Sequence, residues 1–107
     1  MHAEFQPKFY ILASRRYGTL YVGVTSHLMQ RLHQHREGSF DGFTAEHNVK
    51  MLIWYEQHAT METAILREKQ IKKWNRQWKI DMIEKENHNW RDLSVDLGFA
   101  TLPSRKL

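Results

Sequence analysis

Two short runs of strand-forming residues around a turn-like pentapeptide, all within Phe9–His35, constrain the fold more than any other part of the chain. Phe9-Tyr10-Ile11-Leu12 and Thr19-Leu20-Tyr21-Val22-Gly23-Val24 flank Ser14-Arg15-Arg16-Tyr17-Gly18, a composition that predicts a β-hairpin with a loop of several residues. Side chains alternate between faces along a strand. Folding about Arg15-Arg16 therefore makes Tyr10 and Tyr21 cross-strand neighbours on one face, with Leu20, Val22 and Val24 on the other. A two-residue slide of the register keeps the tyrosines together, whereas a one-residue slip separates them. Gly23 falls on the tyrosine face and leaves room for something large to approach the backbone.

Thr25 or Ser26 then offers a hydroxyl to cap a helix running to about Arg36, with Leu28 and Leu32 as its apolar contacts. Arg31 and His35 stand one turn apart on the flank of that stripe. Taken by composition alone, the tyrosines could be ordinary strand aromatics, Gly23 a bulge, and Arg31 and His35 solvated helix positions.

The same residues resemble the GIY-YIG nuclease superfamily, with Tyr10-Ile11-Leu12 as the first motif and Tyr21-Val22-Gly23 as the second. The spacing of the two motif tyrosines carries the likeness, together with a helix arginine and a histidine one turn later, here Arg31 and His35. The first motif lacks its leading glycine and Val22 replaces isoleucine in the second. The likeness is greatest to the small bacterial single-domain branch, over about Lys8 to Leu97. It implies an α+β fold in the order β-β-α-(α)-β-α-α, a small three-stranded antiparallel sheet flanked by helices. One nuclease domain is then expected over residues 1–97, followed by a flexible tail over 98–107.

Beyond the first helix, Glu37 to Thr44 reads as a loop because two glycines and small polar residues interrupt any period. The resemblance implies a substrate-facing segment there. A helical turn is expected around Ala45 to Asn48. Val49 to Tyr55, an almost unbroken apolar run, is predicted to form the third strand, buried on both faces.

Thr60 is placed to cap the longest helical segment, Met61 to about Lys85, with a break near Asn75. Met61, Ala64, Ile65, Ile71, Trp78 and Met82 project onto one side of that helix, with Glu68 and Asn75 inside the stripe. A carboxylate in such a stripe is costly unless Arg31, Lys72 or a divalent cation compensates it. By its residues alone Glu68 could be a structural ion-pair partner. The resemblance matches it to the superfamily's single metal-binding glutamate. Larger members place a helper asparagine further along this helix; Asn75 shares the face but lies nearer to Glu68, and is an optional accessory.

Arg67, Lys69, Lys72, Lys73, Arg76 and Lys79, interleaved with Trp74 and Trp78, form a basic patch suited to phosphate contacts. Gly23 is grouped with them as a point of close approach by nucleic acid. The alternative for any single lysine is a solvated helix face. Trp90 and Leu93 are expected to anchor the segment after the helix.

The length of 107 residues allows one modest core, which 41% hydrophobic residues suffice to fill. The absence of cysteine removes disulfides and thiolate metal sites and fits a reducing cytoplasm. The first eight residues lack the apolar core of a signal peptide, and no run reaches membrane-spanning length. A cytoplasmic protein without membrane attachment is expected. The net charge of +4 favours polyanionic partners. Seven histidines do not make a zinc site, since His33 and His35 point to different helix faces and no HExxH pattern occurs.

The resemblance thus implies a metal-dependent endonuclease cleaving DNA, RNA not excluded, in repair or processing of branched or damaged strands. Glu68 is expected to hold one Mg²⁺ or Mn²⁺, and Arg31 to fork onto the non-bridging phosphate oxygens. Tyr10 is expected to take the proton of the attacking water, with Tyr21 and His35 positioning the nucleophile or polarising the phenol; His35 is the rival base. An unperturbed phenol with a pKa of about 10 carries a penalty of about 4 kcal/mol for ionising at pH 7. The chain has no room for a separate site-choosing domain, so target selection is expected to come from nucleic-acid structure or a partner protein. The competing classes are a non-catalytic nucleic-acid-binding module of the same fold and, more remotely, a protein-binding structural module.

Overall fold

The structure, a computed structural model, describes residues 6–38 and 42–102. Its centre is strand β1 (Lys8–Ala13), which pairs antiparallel with β2 (Leu20–Thr25) on one side and β3 (Met51–Gln57) on the other. The sheet order is β2-β1-β3. Helix α1 (Leu28–Glu37) follows the hairpin, a short α2 (Gly42–Glu46) precedes β3, and α3 (Met61–Lys72), α4 (Arg76–Glu86) and a 3-10 turn (Leu93–Leu97) complete the order. The α+β architecture with a three-stranded antiparallel sheet is the expected one.

Tyr10 lies opposite Gly23, and Leu12 opposite Tyr21. The hairpin thus folds about Arg16-Tyr17, a two-residue slide in register from the Tyr10–Tyr21 pairing that keeps both tyrosines on one face. α4 ties down the hairpin loop. Arg76 donates to the carbonyls of Tyr17 and Gly18, both at 2.7 Å, while Glu84 accepts from the Tyr17 hydroxyl and the Trp90 indole.

Strand alternation divides the interior into two clusters. Phe9, Ile11, Ala13 and Val22 face one way and pack with Ile53, Ile71, Ile80, Ile83 and Trp90. Tyr10 and Leu12 face the other and pack with Leu28 and Leu32 of α1, Val49 and Leu52. The expected third strand begins at Met51 rather than Val49 and is a sheet edge, half-buried from Trp54 to Glu56. A bulge explains its unbroken apolar run. Ile11 pairs with Trp54 but Leu12 with Leu52, so Ile53 is an extra residue that joins Trp54 on the Phe9 side.

The helices depart from expectation at their ends. The N-cap of α1 is His27, with no side-chain cap of its own; Thr25 instead accepts from the His27 N–H at 3.0 Å. Gly38 closes α1 at φ 73°, a left-handed conformation that costs glycine no Cβ clash. The turn expected over Ala45 to Asn48 is the earlier, five-residue α2, so Thr44 is helical rather than loop. Residues 39–41 of the expected loop lie outside the described residues, as do residues 1–5 and 103–107.

The break near Asn75 is present. Its side chain caps α4 by accepting from the Trp78 N–H at 2.8 Å, as Thr60 caps α3. This break resets the helical phase. Ile80 and Ile83 are buried in α4, while Trp78 is exposed and does not continue the projected stripe; Ile65 is also exposed. Trp90 is buried and Leu93 packs beside the Tyr10 cluster, as expected of the closing segment. From the segment expected to fray, Phe99 lies 4.9 Å beneath the Arg36 guanidinium, and Ala100 accepts from Arg36 at 2.8 Å.

Candidate functional site

The hairpin register and the pitch of α1 bring Tyr10, Tyr21 and His35 together. Ring centroids are 6.3 Å apart for Tyr10–Tyr21, 5.9 Å for Tyr10–His35 and 5.3 Å for Tyr21–His35. Tyr10 is fully buried and His35 only 1% exposed, while Tyr21 is half-buried. The Tyr10 hydroxyl is 3.0 Å from His35 Nε2, and His35 Nδ1 is 3.1 Å from Thr44 Oγ1 on α2. A buried file of three polar side chains, Tyr10–His35–Thr44, therefore joins the central strand to both early helices.

Burial raises the Tyr10 pKa, and the Tyr21 phenol adds to the rise. The Arg31 guanidinium lowers it by its charge and by hydrogen bonding to the phenol, while the Glu68 carboxylate raises it; the net shift is upward. Tyr10 is thus held neutral at neutral pH, the opposite of the reduction that its expected role as a free base required.

Gly23 has a different task from the one expected. A Cβ there would meet the Tyr10 hydroxyl at 2.8 Å and its Cζ at 2.9 Å. The large group approaching this backbone is the protein's own Tyr10 ring, and Gly23 itself is buried.

Arg31 is half-buried; its Nε donates to Gln34 at 3.1 Å. Together with Thr25, Ser26, His27, Gln30 and Gln34 it lines a polar pocket of about 170 Å³ at the start of α1. Glu68 projects from α3 with its side chain 18% exposed, and the Lys72 ammonium compensates it at 3.2 Å. Among the described residues no group of three or more His, Cys, Asp or Glu side chains is arranged around one ion position. A hard cation held here would have Glu68 as its protein carboxylate and take its other ligands from phosphate and water.

The expected basic patch is divided in use. Arg67 is spent on a half-buried ion pair, donating to both Glu56 oxygens at 3.0 to 3.3 Å, and also lies over the Trp74 ring. Arg76 holds the hairpin loop and Lys72 pairs with Glu68. Lys69 and Lys73 are exposed and Lys79 is half-buried. Asn75 is exposed and its side-chain oxygen serves as a helix cap. Thr44 was not singled out from the sequence. Nine residues from His35 and on a different helix, it has no periodic relation to the motif that could mark it.

No helix among the described residues is long and apolar enough to cross a membrane. A solved structure similar to this chain is the solution NMR structure of the UPF0213 protein BH0048 from Bacillus halodurans. The identity is 20%, the TM-score 0.52, and the match covers 89% of this chain and 99% of the other. That likeness supports the fold. No curated protein sequence matches significantly. The family model described as the GIY-YIG catalytic domain matches residues 6–81. That match spans both tyrosines, Arg31, His35 and Glu68, and assigns a nuclease-type function, and with it a nucleic-acid substrate, in general terms. The chain belongs to the GIY-YIG family.

Proposed function

We propose that this protein is a metal-dependent endonuclease that hydrolyses DNA phosphodiester bonds, within one domain over residues 1–97. The single observation that carries this reading is the convergence of Tyr10, Tyr21 and His35 within 6.3 Å of one another, with Arg31 hydrogen-bonded to Tyr10 and the Glu68 charge felt there. A binding surface needs cations but has no use for a carboxylate whose charge reaches a buried phenol.

In this reading Arg31 forks onto the non-bridging phosphate oxygens, since a planar guanidinium stays charged and offers paired donors. Glu68 holds Mg²⁺ or Mn²⁺, which when bound supplies charge neutralisation at the phosphate and the departing oxygen. Tyr21 and Arg31, both only half-buried, form the side from which water and phosphate enter. Tyr10 and His35 act as one unit. The Tyr10 oxygen accepts the proton of the attacking water while its own proton passes across 3.0 Å to His35 Nε2. No free phenolate forms, so the ionisation penalty of about 4 kcal/mol is avoided. The His35 imidazole is the final acceptor. Lys69, Lys73 and the half-buried Lys79 supply outer phosphate contacts. The substrate is DNA with a recognisable structure, met in repair or processing in the cytoplasm, and a partner protein supplies any sequence preference.

The second reading, a nucleic-acid-binding module without turnover, is favoured by one observation. Lys72 already satisfies Glu68 at 3.2 Å, which gives the carboxylate a partner that is not a metal. Cleavage of single-stranded, duplex and branched DNA with Mg²⁺, Mn²⁺ or EDTA, wild type beside Glu68→Ala, separates the two. Metal-dependent cutting lost in the variant supports the enzyme; binding without cutting by either protein supports the module.

A further inference from the structure

Thr44 is a fully buried threonine on a five-residue helix, fixed from two sides. Its carbonyl accepts from the Val49 N–H at 2.9 Å, and its hydroxyl oxygen lies 3.1 Å from His35 Nδ1. The other ring nitrogen of His35 faces the Tyr10 hydroxyl at 3.0 Å. A neutral imidazole has one donor and one acceptor nitrogen, and the partner of one sets the role of the other. Arg31 hydrogen-bonds to the Tyr10 oxygen, and a guanidinium can only donate. In the tautomer with Nε2 open, the Tyr10 hydroxyl donates to His35 Nε2 across 3.0 Å and keeps its oxygen lone pairs for Arg31. That leaves Nδ1 as the donor and the Thr44 oxygen as its acceptor.

We propose that Thr44 is a positioning residue of this site: it fixes His35 in the tautomer with its hydrogen on Nδ1, keeping Nε2 open to the Tyr10 proton. The proposal rests on the nuclease reading for its consequence, since only Nε2 without hydrogen can receive the proton that Tyr10 passes on. Its structural content is independent of turnover. Loss of the Thr44 hydroxyl leaves Nδ1–H without its acceptor, so the hydrogen moves to Nε2, where the Tyr10 oxygen can accept it. The imidazole then points a donor at the phenol and can no longer take its proton.

The test is a two-bond ¹H–¹⁵N correlation spectrum of the histidine side chains in the full-length ¹⁵N-labelled protein near neutral pH, with His35 assigned by its loss in His35→Gln. The expected result is the Nδ1–H tautomer in the wild type and in Thr44→Ser. In Thr44→Val the signal shifts to Nε2–H or to an exchanging mixture. In the cleavage assay Thr44→Val should lower kcat on the order of tenfold with KM unchanged, and Thr44→Ser should recover it. A wild-type His35 with hydrogen on Nε2, or an unaltered tautomer in a folded Thr44→Val, overturns the proposal. If Thr44→Val does not fold, the wild-type and Thr44→Ser spectra decide. An absence of cleavage with the tautomer shift intact overturns the nuclease reading and leaves the positioning role standing.

Discussion

The two faces of the β1-centred sheet are built by the same strands and serve opposite ends. On the Phe9 face the packed side chains are apolar but for the Trp90 indole and the buried Asn87 amide, which donates to the Ile53 carbonyl, and the covering helices contribute Ile71, Ile80 and Ile83. On the Tyr10 face the leucines of α1 are interleaved with Tyr10, Tyr21, His35 and Thr44, three of which are buried and hydrogen-bonded in file. An apolar face gains stability from area removed from water and tolerates small shifts of position. A buried polar file depends on distances and partners, because each unmatched donor or acceptor carries its full desolvation cost. Alternation along a single strand thus separates the face that holds the domain together from the face that carries the proposed site.

The sharpest way to break this contrast is to damage the apolar face alone. Ile11→Ala removes a fully buried side chain from the Phe9 side and should lower stability by about 2–5 kcal/mol, measured by urea unfolding, while kcat of the folded fraction stays near the wild-type value. A comparable loss of kcat would mean that the two faces are not separable.

Gly23→Ala attacks the other face at its tightest point. A methyl group there must displace the Tyr10 ring, at a cost of about 1–3 kcal/mol, and should reduce turnover more than DNA affinity. A loss confined to affinity would restore Gly23 to the nucleic-acid contact expected from sequence.

The smallest effect lies at the sheet edge. Burial raises the Glu56 pKa, but hydrogen bonds from Arg67, Trp54 and His58 outweigh it and hold the carboxyl below its ordinary value. A group whose folded pKa is depressed stabilises above its unfolded pKa, about 4.3 for Glu, and loses that contribution as pH falls through the folded value. Glu56→Gln should therefore cost about 1 kcal/mol at neutral pH and flatten the stability curve below about pH 4. An unchanged acid limb would remove Glu56 from the account.

The hairpin and its tyrosine face were legible because alternation is a two-residue signal that survives any even slide of register, and the observed slide is two. The break at Asn75 was legible as a capping residue within a long helical pattern. Trp78 was misplaced for the same reason, since projection through a break carries the wrong phase. The bulge at Ile53 left no mark in a continuous apolar run. Thr44 and the true partners of Arg67 and Arg76 were hidden because they depend on elements distant in sequence, which no local period encodes. Glu68 stood out by its place in the apolar stripe, and Lys72, one of the compensators expected there, sits at the ordinary helical spacing; its metal role came through resemblance alone and is a proposal.

Everything functional converges on whether Glu68 serves chemistry or merely pairs with Lys72. The direct measurement is cleavage of single-stranded, duplex and branched DNA in Mg²⁺ or Mn²⁺, with EDTA controls and DNA binding followed in parallel, for wild type and Glu68→Ala. The expected result is metal-dependent cutting by the wild type, none by the variant, and equal or tighter binding by the variant, because Lys72 is released toward phosphate. Cutting by Glu68→Ala at the wild-type rate would contradict the assignment and leave Glu68 a structural partner of Lys72.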